Sequence, residues 1–184
     1  MTDTEPTTDE PSDTTLIARW TGGDEQAASL LVRRHAPALA RFVASLGERA
    51  DVEDVVQETF VRAFGSLDGF RGESSLRTWL LTIARNLVRD RVRGRRAQPV
   101  AVAIEEDHAV TEYDPLDGAV ADETESRMHE IVSRLSPMQR QVFTLRVADG
   151  LSYREIAAAL GSTEGAARVH YHNAMRAIKE FLDE

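Results

Sequence analysis

Residues 75–96 read SLRTWLLTIARNLVRDRVRGRR. Leu76, Trp79, Leu80, Ile83, Ala84, Leu87 and Val88 recur at the i, i+3, i+4 spacing of an amphipathic helix, which places them on one buried stripe. Arg85, Arg89, Arg93 and Arg96 advance by four or three residues and so cluster on the opposite side. Ser74 or Ser75 can cap the start. A helix face that only meets water normally mixes both signs, whereas residues 71–96 hold eight arginines against Glu73 and Asp90 alone. Guanidinium forks on a rigid helix suit phosphate oxygens, so the stripe predicts contact with a nucleic-acid backbone. Such contacts supply affinity without sequence information.

A formal net charge of −9 conceals this block. Residues 1–15 carry five acids and no base, and residues 97–126 carry nine acids and no base. The chain thus has one basic block and two acidic ones, an asymmetry that marks interaction surfaces. Its 184 residues, 42% hydrophobic and 29% charged, suit one ordinary domain or two small ones. No apolar run approaches the roughly 18 residues of a membrane span. The opening MTDTEPTTDEPSDTT has neither the basic nor the apolar region of a secretory signal. A cytoplasmic protein without membrane contact of its own is expected. The chain has no cysteine, which excludes a disulfide framework, a thiolate metal site, a thiol nucleophile and a thiol switch.

Away from the basic helix the pattern remains helical from about residue 14, with breaks at Gly22-Gly23, Gly47 and the Gly65 to Gly72 stretch. Asp24 is placed to cap a helix running to about Leu46, which Pro37 should kink or split. Asp51 is placed to cap another, with Val52, Val55, Val56, Phe60 and Phe64 on one face. Residues 1–13 have almost nothing to bury and should be disordered. Residues 97–123 lose periodicity and include Pro99, Pro115 and Gly118, as a linker would. The expected fold is all-α: a helical domain over 14–96, an acidic flexible linker over 97–123 and a second helical domain over 124–184.

The second domain contains LSYREIAAALGSTEGAARVHYHNAMRAI at 151–178, the layout of a helix-turn-helix. Ile156, Ala157 and Leu160 give the first helix its apolar face. Gly161 permits the turn, and Ser162 or Thr163 can cap the second helix. Ala167, Tyr171, Ala174 and Ile178 then point inward, leaving Arg168, His170, His172 and Asn173 outward, where a base edge or phosphate would lie. His170 and His172, two apart on a helix, diverge by about 200° and cannot grip one ion. No metal site, catalytic residue or cofactor is expected: phosphate-cradling glycine loops, nucleophile elbows and paired-carboxylate motifs in a credible pocket are all lacking.

The order of these pieces resembles the extracytoplasmic-function (ECF) group of bacterial sigma factors, the sigma-70 family's minimal promoter-recognition subunits of RNA polymerase. Three stretches carry the likeness: ADVEDVVQETFVRAF at 50–64, FRGESSLRTWLLTIARNLVRDRVR at 70–93 and the helix-turn-helix at 151–178. The resemblance spans about residues 14–96 and 124–184. It implies no enzyme, but a factor that binds core RNA polymerase through its β′ clamp and β flap and directs it to −10 and −35 promoter elements. It further implies an anti-sigma partner.

Residue by residue, the likeness implies that Asp51, Glu53, Asp54, Gln57 and Glu58 face a basic coiled coil of the polymerase. Without the resemblance, this would read as a solvated acidic face near a helix N-terminus. It implies that Phe70, Arg71, Ser74, Arg85, Asn86, Arg89, Arg93 and Arg96 meet the −10 element. The Asp68 to Ser74 loop and Asn86 match the family's pocket for an unpaired base, and extruding a base and reading its edge needs such donors and acceptors. Trp79, in the apolar stripe, is assigned to the core. At the −35 element the resemblance implies Arg146, Ser162, Thr163, Glu164, Arg168, His170, His172 and Asn173. Here the chain departs from the common pattern: His170 and Asn173 stand where many members have further bases, and Ala166-Ala167 where many have Thr-Val. Fewer fixed cations predict a shallower salt dependence. The two histidines are expected to read base edges, more tightly as they gain charge below about pH 6.5.

The acidic linker fits either a mimic of nucleic acid threading the polymerase's RNA path or a solvated tether. Two rivals explain less. A helix-turn-helix repressor or activator accounts for the C-terminal half but not for 50–64 or 70–93, and a helical adaptor that sequesters a regulator predicts no promoter contact at all.

Overall fold

The structure, a computed structural model, describes residues 10–47, 51–97 and 123–182. Every regular element among them is helical: α1 (Asp13–Thr21), α2 (Glu25–Ser45), α3 (Val52–Gly65), a 3₁₀ turn (Leu67–Gly69), α4 (Leu76–Ala97), α5 (Glu123–Arg134), α6 (Pro137–Val147), α7 (Tyr153–Leu160) and α8 (Glu164–Leu182). The all-α expectation therefore holds. Most of the tail and nearly all of the acidic linker lie outside the described residues.

The chain divides into two compact units, Met1–His35 and Ala36–Glu184, with the division falling inside α2. In the first, Ser12 caps α1 by accepting from Thr15 N–H. Asp13 accepts from Arg34 at 2.7 Å and pairs with buried His35 at 2.9 Å. Asp24 Oδ1 accepts from Gln26 N–H at 3.0 Å, so α2 starts where the sequence places it. Pro37 does not split α2. It is exposed, and the carbonyl deprived of its partner one turn earlier can therefore turn to water.

In the second unit, α3 packs on α4. Val55, Phe60, Leu80, Ala84 and Leu87 are buried there, as the 3.6-residue period requires. Asp51 stands at the N-cap of α3 without a side-chain capping bond, whereas Ser75 Oγ accepts from Thr78 N–H at the start of α4. The buried face of α4 is wider than its periodic stripe, because Thr78 and Leu81 are also buried. Trp79 is half-buried rather than fully enclosed, and its ring lies 5.1 Å from that of Phe70. Further along, α6, α7 and α8 pack together and α7 also lies on α4. Ile131, Leu135, Ala174 and Ile178 join α5 to α8.

Candidate nucleic-acid interface

Helix α7 opens with a capping box in which Ser152 Oγ accepts from Glu155 N–H while the Glu155 carboxylate accepts from Ser152 N–H. That bonding lowers the Glu155 pKa, the Ser152 side chain contributing most. The helix ends at Gly161, whose φ of 55° lies in the left-handed region that glycine enters without a Cβ penalty. Two residues later Thr163 Oγ1 accepts from Ala166 N–H and starts α8. Between the candidates for this cap, Thr163 makes the bond, while Ser162 Oγ donates to the Thr163 carbonyl. The local chemistry thus builds the helix-turn-helix that the sequence predicts.

On α8, Ala167, Ala174 and Ile178 are buried and Tyr171 half-buried, as expected. Arg168 and His172 are exposed, but His170 and Asn173 are half-buried. Helical geometry explains the partial burial of His170: it lies three residues after Ala167 and four before Ala174, on the flank of the buried stripe. Val169, 58% exposed, and Arg176 complete the outer line with His172.

Arg146 and Arg168 come from different helices and converge on one ring. Their guanidinium carbons lie 4.9 and 5.1 Å from the centroid of Tyr153, which itself meets Tyr171 edge-on. Arg146 also donates to the Leu151 carbonyl at 2.7 Å, and Arg168 to Glu164 at 2.5 Å. Tyr153 was not among the sequence candidates, because its seven-residue separation from Arg146 crosses a turn and has no helical periodicity.

The basic face of α4 is partly committed within the chain. Arg89 and Arg93 are exposed, the latter 3.5 Å from Asp90. Asn86 is exposed one position from Arg85. Arg85 approaches the Ala159 carbonyl at 3.5 Å, and burial together with neighbouring Arg89 lowers its pKa. Arg91 donates to Glu58 at 3.0 Å. Arg96 lies in the last turn of α4, its side chain outside the described residues, as is that of Asp68 in the preceding loop. In that loop Arg71 and Glu73 are exposed and 4.0 Å apart, and Ser74 is half-buried.

The acidic residues divide similarly. Glu53, Asp54 and Gln57 are exposed on α3 and Asp51 half-buried. Glu58 instead accepts from Arg62 on its own helix and from Arg91 on α4, which lowers its pKa, Arg91 contributing most. Among the described residues no cluster of histidine and carboxylate could hold a metal ion, and no helix is long and apolar enough to cross a membrane.

The family profiles for Sigma-70 region 2 and Sigma-70 region 4 match residues 31–98 and 125–178. The ECF RNA polymerase sigma-E factor of Escherichia coli K12 is 36% identical over 176 residues, covering 91% of this chain and 92% of the relative. The RNA polymerase sigma-H factor of Pseudomonas aeruginosa is 33% identical, covering 92% and 93%. Among solved structures, CnrH in complex with the cytosolic domain of CnrY aligns with a TM-score of 0.65 at 30% identity, covering 93% of this chain and 97% of CnrH. RpoE from Bartonella quintana, in complex with the anti-sigma factor NepR, aligns with a TM-score of 0.62 at 28% identity, covering 84% and 96%.

Proposed function

From the premise that this chain belongs to the ECF group of sigma-70 factors, and so works with RNA polymerase in promoter-directed transcription initiation, we propose how its helices divide that work. Residues 14–96 form the part that docks on core polymerase and meets the −10 element. Residues 124–184 meet the −35 element, and the acidic stretch between them lets the two parts separate. The observation that carries this reading is the segregation of charge on packed helices: exposed Glu53, Asp54 and Gln57 on α3, and exposed Arg89 and Arg93 on α4.

The α3 residues take a basic coiled coil of the β′ clamp, with Asp51 at the edge. Glu58 acts behind them by holding α3 to α4. Arg89, Arg93 and Arg96 grip phosphates, while Phe70, Arg71, Ser74 and Asn86 surround an unpaired base; Arg85 joins them when its contact with α7 is released. In the C-terminal part, Thr163 orients α8, Arg146 and Arg168 engage the backbone, and His172 and Asn173 face base edges. Ser162 and Glu164 border the entry of α8, and half-buried His170 supports its flank. The β flap is the second docking site on the polymerase. All of these roles are binding, with no bond made or broken by this chain and no cofactor used. A cytoplasmic location and control by an anti-sigma protein complete the reading, supported by the relatives' solved complexes.

Reconstituted transcription tests it. Purified protein added to core polymerase and fragmented host DNA should give discrete 5′ ends sharing two upstream motifs that core alone does not give. Failure to co-elute with core would overturn the assignment.

A further inference from the structure

We infer that Val169 is a specificity-determining residue of the −35 contact. Its two methyl groups pack on the C5-methyl of one thymine in the major groove, and Gly165, one turn earlier, lets α8 come close enough for so short a side chain to reach it. The inference rests on the reading of α8 as the −35 helix and adds to it the base that one position selects.

Position on α8 comes first. With 3.6 residues per turn, Gly165, Val169, His172 and Arg176 fall within about 60° of one another, opposite buried Ala167, Ala174 and Ile178. All four are exposed. Val169 neighbours His172 and Asn173, three and four residues on, which are the residues assigned to base edges. It also lies in the N-terminal part of α8, the part of a second helix that reads bases in a helix-turn-helix. Neither Val169 nor Gly165 is explained by helix formation. A β-branched side chain loses rotamer freedom in a helix, and glycine is a poorer helix former still. An exposed helix position favours alanine, glutamate or lysine when packing does not decide. A Cβ added at Gly165 would meet open space, and its φ is not positive, so neither a turn nor close packing among the described residues requires glycine there. Single exposed apolar residues are ordinary, but this one stands 58% exposed in the middle of a polar reading edge.

The chemistry of the groove then selects the partner. Valine neither donates nor accepts a hydrogen bond, so it cannot answer the amines, carbonyls and ring nitrogens of the base edges. The thymine methyl is the apolar group that the major groove presents. Covering it with Val169 removes two apolar surfaces from water. Against an amine or carbonyl the same side chain would displace water and return no hydrogen bond. Attraction to thymine and a penalty against the other bases therefore act together. Reach sets a second condition. Methyl groups in contact lie about 4 Å apart, which puts the Val169 Cα about 6 Å from the thymine methyl. Gly165 stands four residues earlier on the same line, about 6 Å along the axis. It then lies against the duplex too, and the lack of a side chain leaves the room.

The test uses the full chain assembled with core polymerase, and a promoter recovered by the transcription assay with its upstream motif randomised. Bound duplexes should share a thymine at one position of that motif, on either strand. Each thymine of the selected motif is then replaced in turn by uracil, which lacks only the methyl. Native affinity should fall about fourfold at that one position, the worth of a buried methyl group. Val169→Ala should bind the thymine duplex about fourfold more weakly and no longer distinguish uracil from thymine, the coupling expected of two groups in contact. Alanine is the better helix former at this exposed position, so V169A should melt no lower than the native protein, which separates lost contact from lost folding. Gly165→Ala should also melt no lower, yet weaken binding of the thymine duplex by at least about fourfold. A native complex indifferent to uracil at every position, or a uracil effect that V169A leaves at its native size, would overturn the assignment of Val169. Native affinity in G165A would overturn the close approach. Recovery of no promoter, or of promoters without an upstream motif, would instead remove the −35 reading of α8 and Val169 with it.

Discussion

Glu58 and Arg91, 33 residues apart in sequence, join α3 to α4 through a 3.0 Å hydrogen bond. The same carboxylate also accepts from Arg62 at 2.6 Å. One acid on the candidate polymerase face is therefore spent on the scaffold that sets the angle between that face and the basic helix.

Glu58→Gln should lower stability by about 0.5–1 kcal/mol, the range of a well-formed but partly exposed ion pair. The sign with pH follows from the lowered pKa. The pair's contribution is complete above the unfolded carboxylate value and is lost as pH falls through the depressed folded value. Urea unfolding at neutral and acidic pH should show the difference between native and E58Q shrinking as the medium is acidified. Constant separation of the two curves would show that the charge of Glu58 is not what matters.

Asp54→Asn should behave differently, because Asp54 is exposed. Unfolding should be nearly unchanged while affinity for core polymerase falls, by about fivefold for one interfacial charge. Equal core binding by D54N and native protein would move the docking surface off this face of α3.

Tyr153 supports both Arg146 and Arg168. Each cation–π contact contributes about 0.5–1 kcal/mol at exposed sites, so Tyr153→Leu should weaken −35 duplex binding by the polymerase complex about five- to thirtyfold. Tyr153→Phe keeps the ring and should retain most of the affinity. If the arginines work as phosphate contacts, the slope of log affinity against log salt should become shallower in Y153L by about one unit per lost contact. An unchanged slope would mean that the tyrosine serves packing only.

Arg89→Gln and Asn86→Ala separate grip from readout on α4. Loss of one phosphate contact should weaken −10 binding uniformly across sequences, with a salt slope shallower by about one. Asn86→Ala should instead alter preference at one base, leaving the slope intact. Binding measured on a panel of single-base variants at two salt concentrations distinguishes them.

Ser152→Ala removes one arm of the capping box that starts α7 and should cost about 1 kcal/mol. Ser152→Thr should preserve it. A melting temperature identical in all three proteins would show that tertiary packing alone fixes the helix start.

The elements were legible in the sequence because they depend on near neighbours. Asp24, Ser75 and Thr163 cap the helices they precede, and Gly161 adopts the left-handed conformation its turn requires. The stripe from Leu76 to Val88 was readable from spacing alone. The partial burial of His170 follows from its angle to Ala167 and Ala174, which only the packed face of α8 reveals. Pro37 leaves α2 continuous from Glu25 to Ser45, since an exposed proline in a long packed helix need not end it.

By itself, then, the sequence determined the all-helical class, the capped starts of α2, α4 and α8, the segregation of charge and the family likeness, because each is written in periodicity, caps and local motifs. The tertiary structure alone decided which charges remain available. It paired Glu58 with Arg91, buried Asp149 against Arg41, gathered Arg146 and Arg168 on Tyr153 and set Arg85 against the end of α7. Such pairings join residues up to 108 positions apart. They arise from how finished helices pack, and no local period in the chain encodes them.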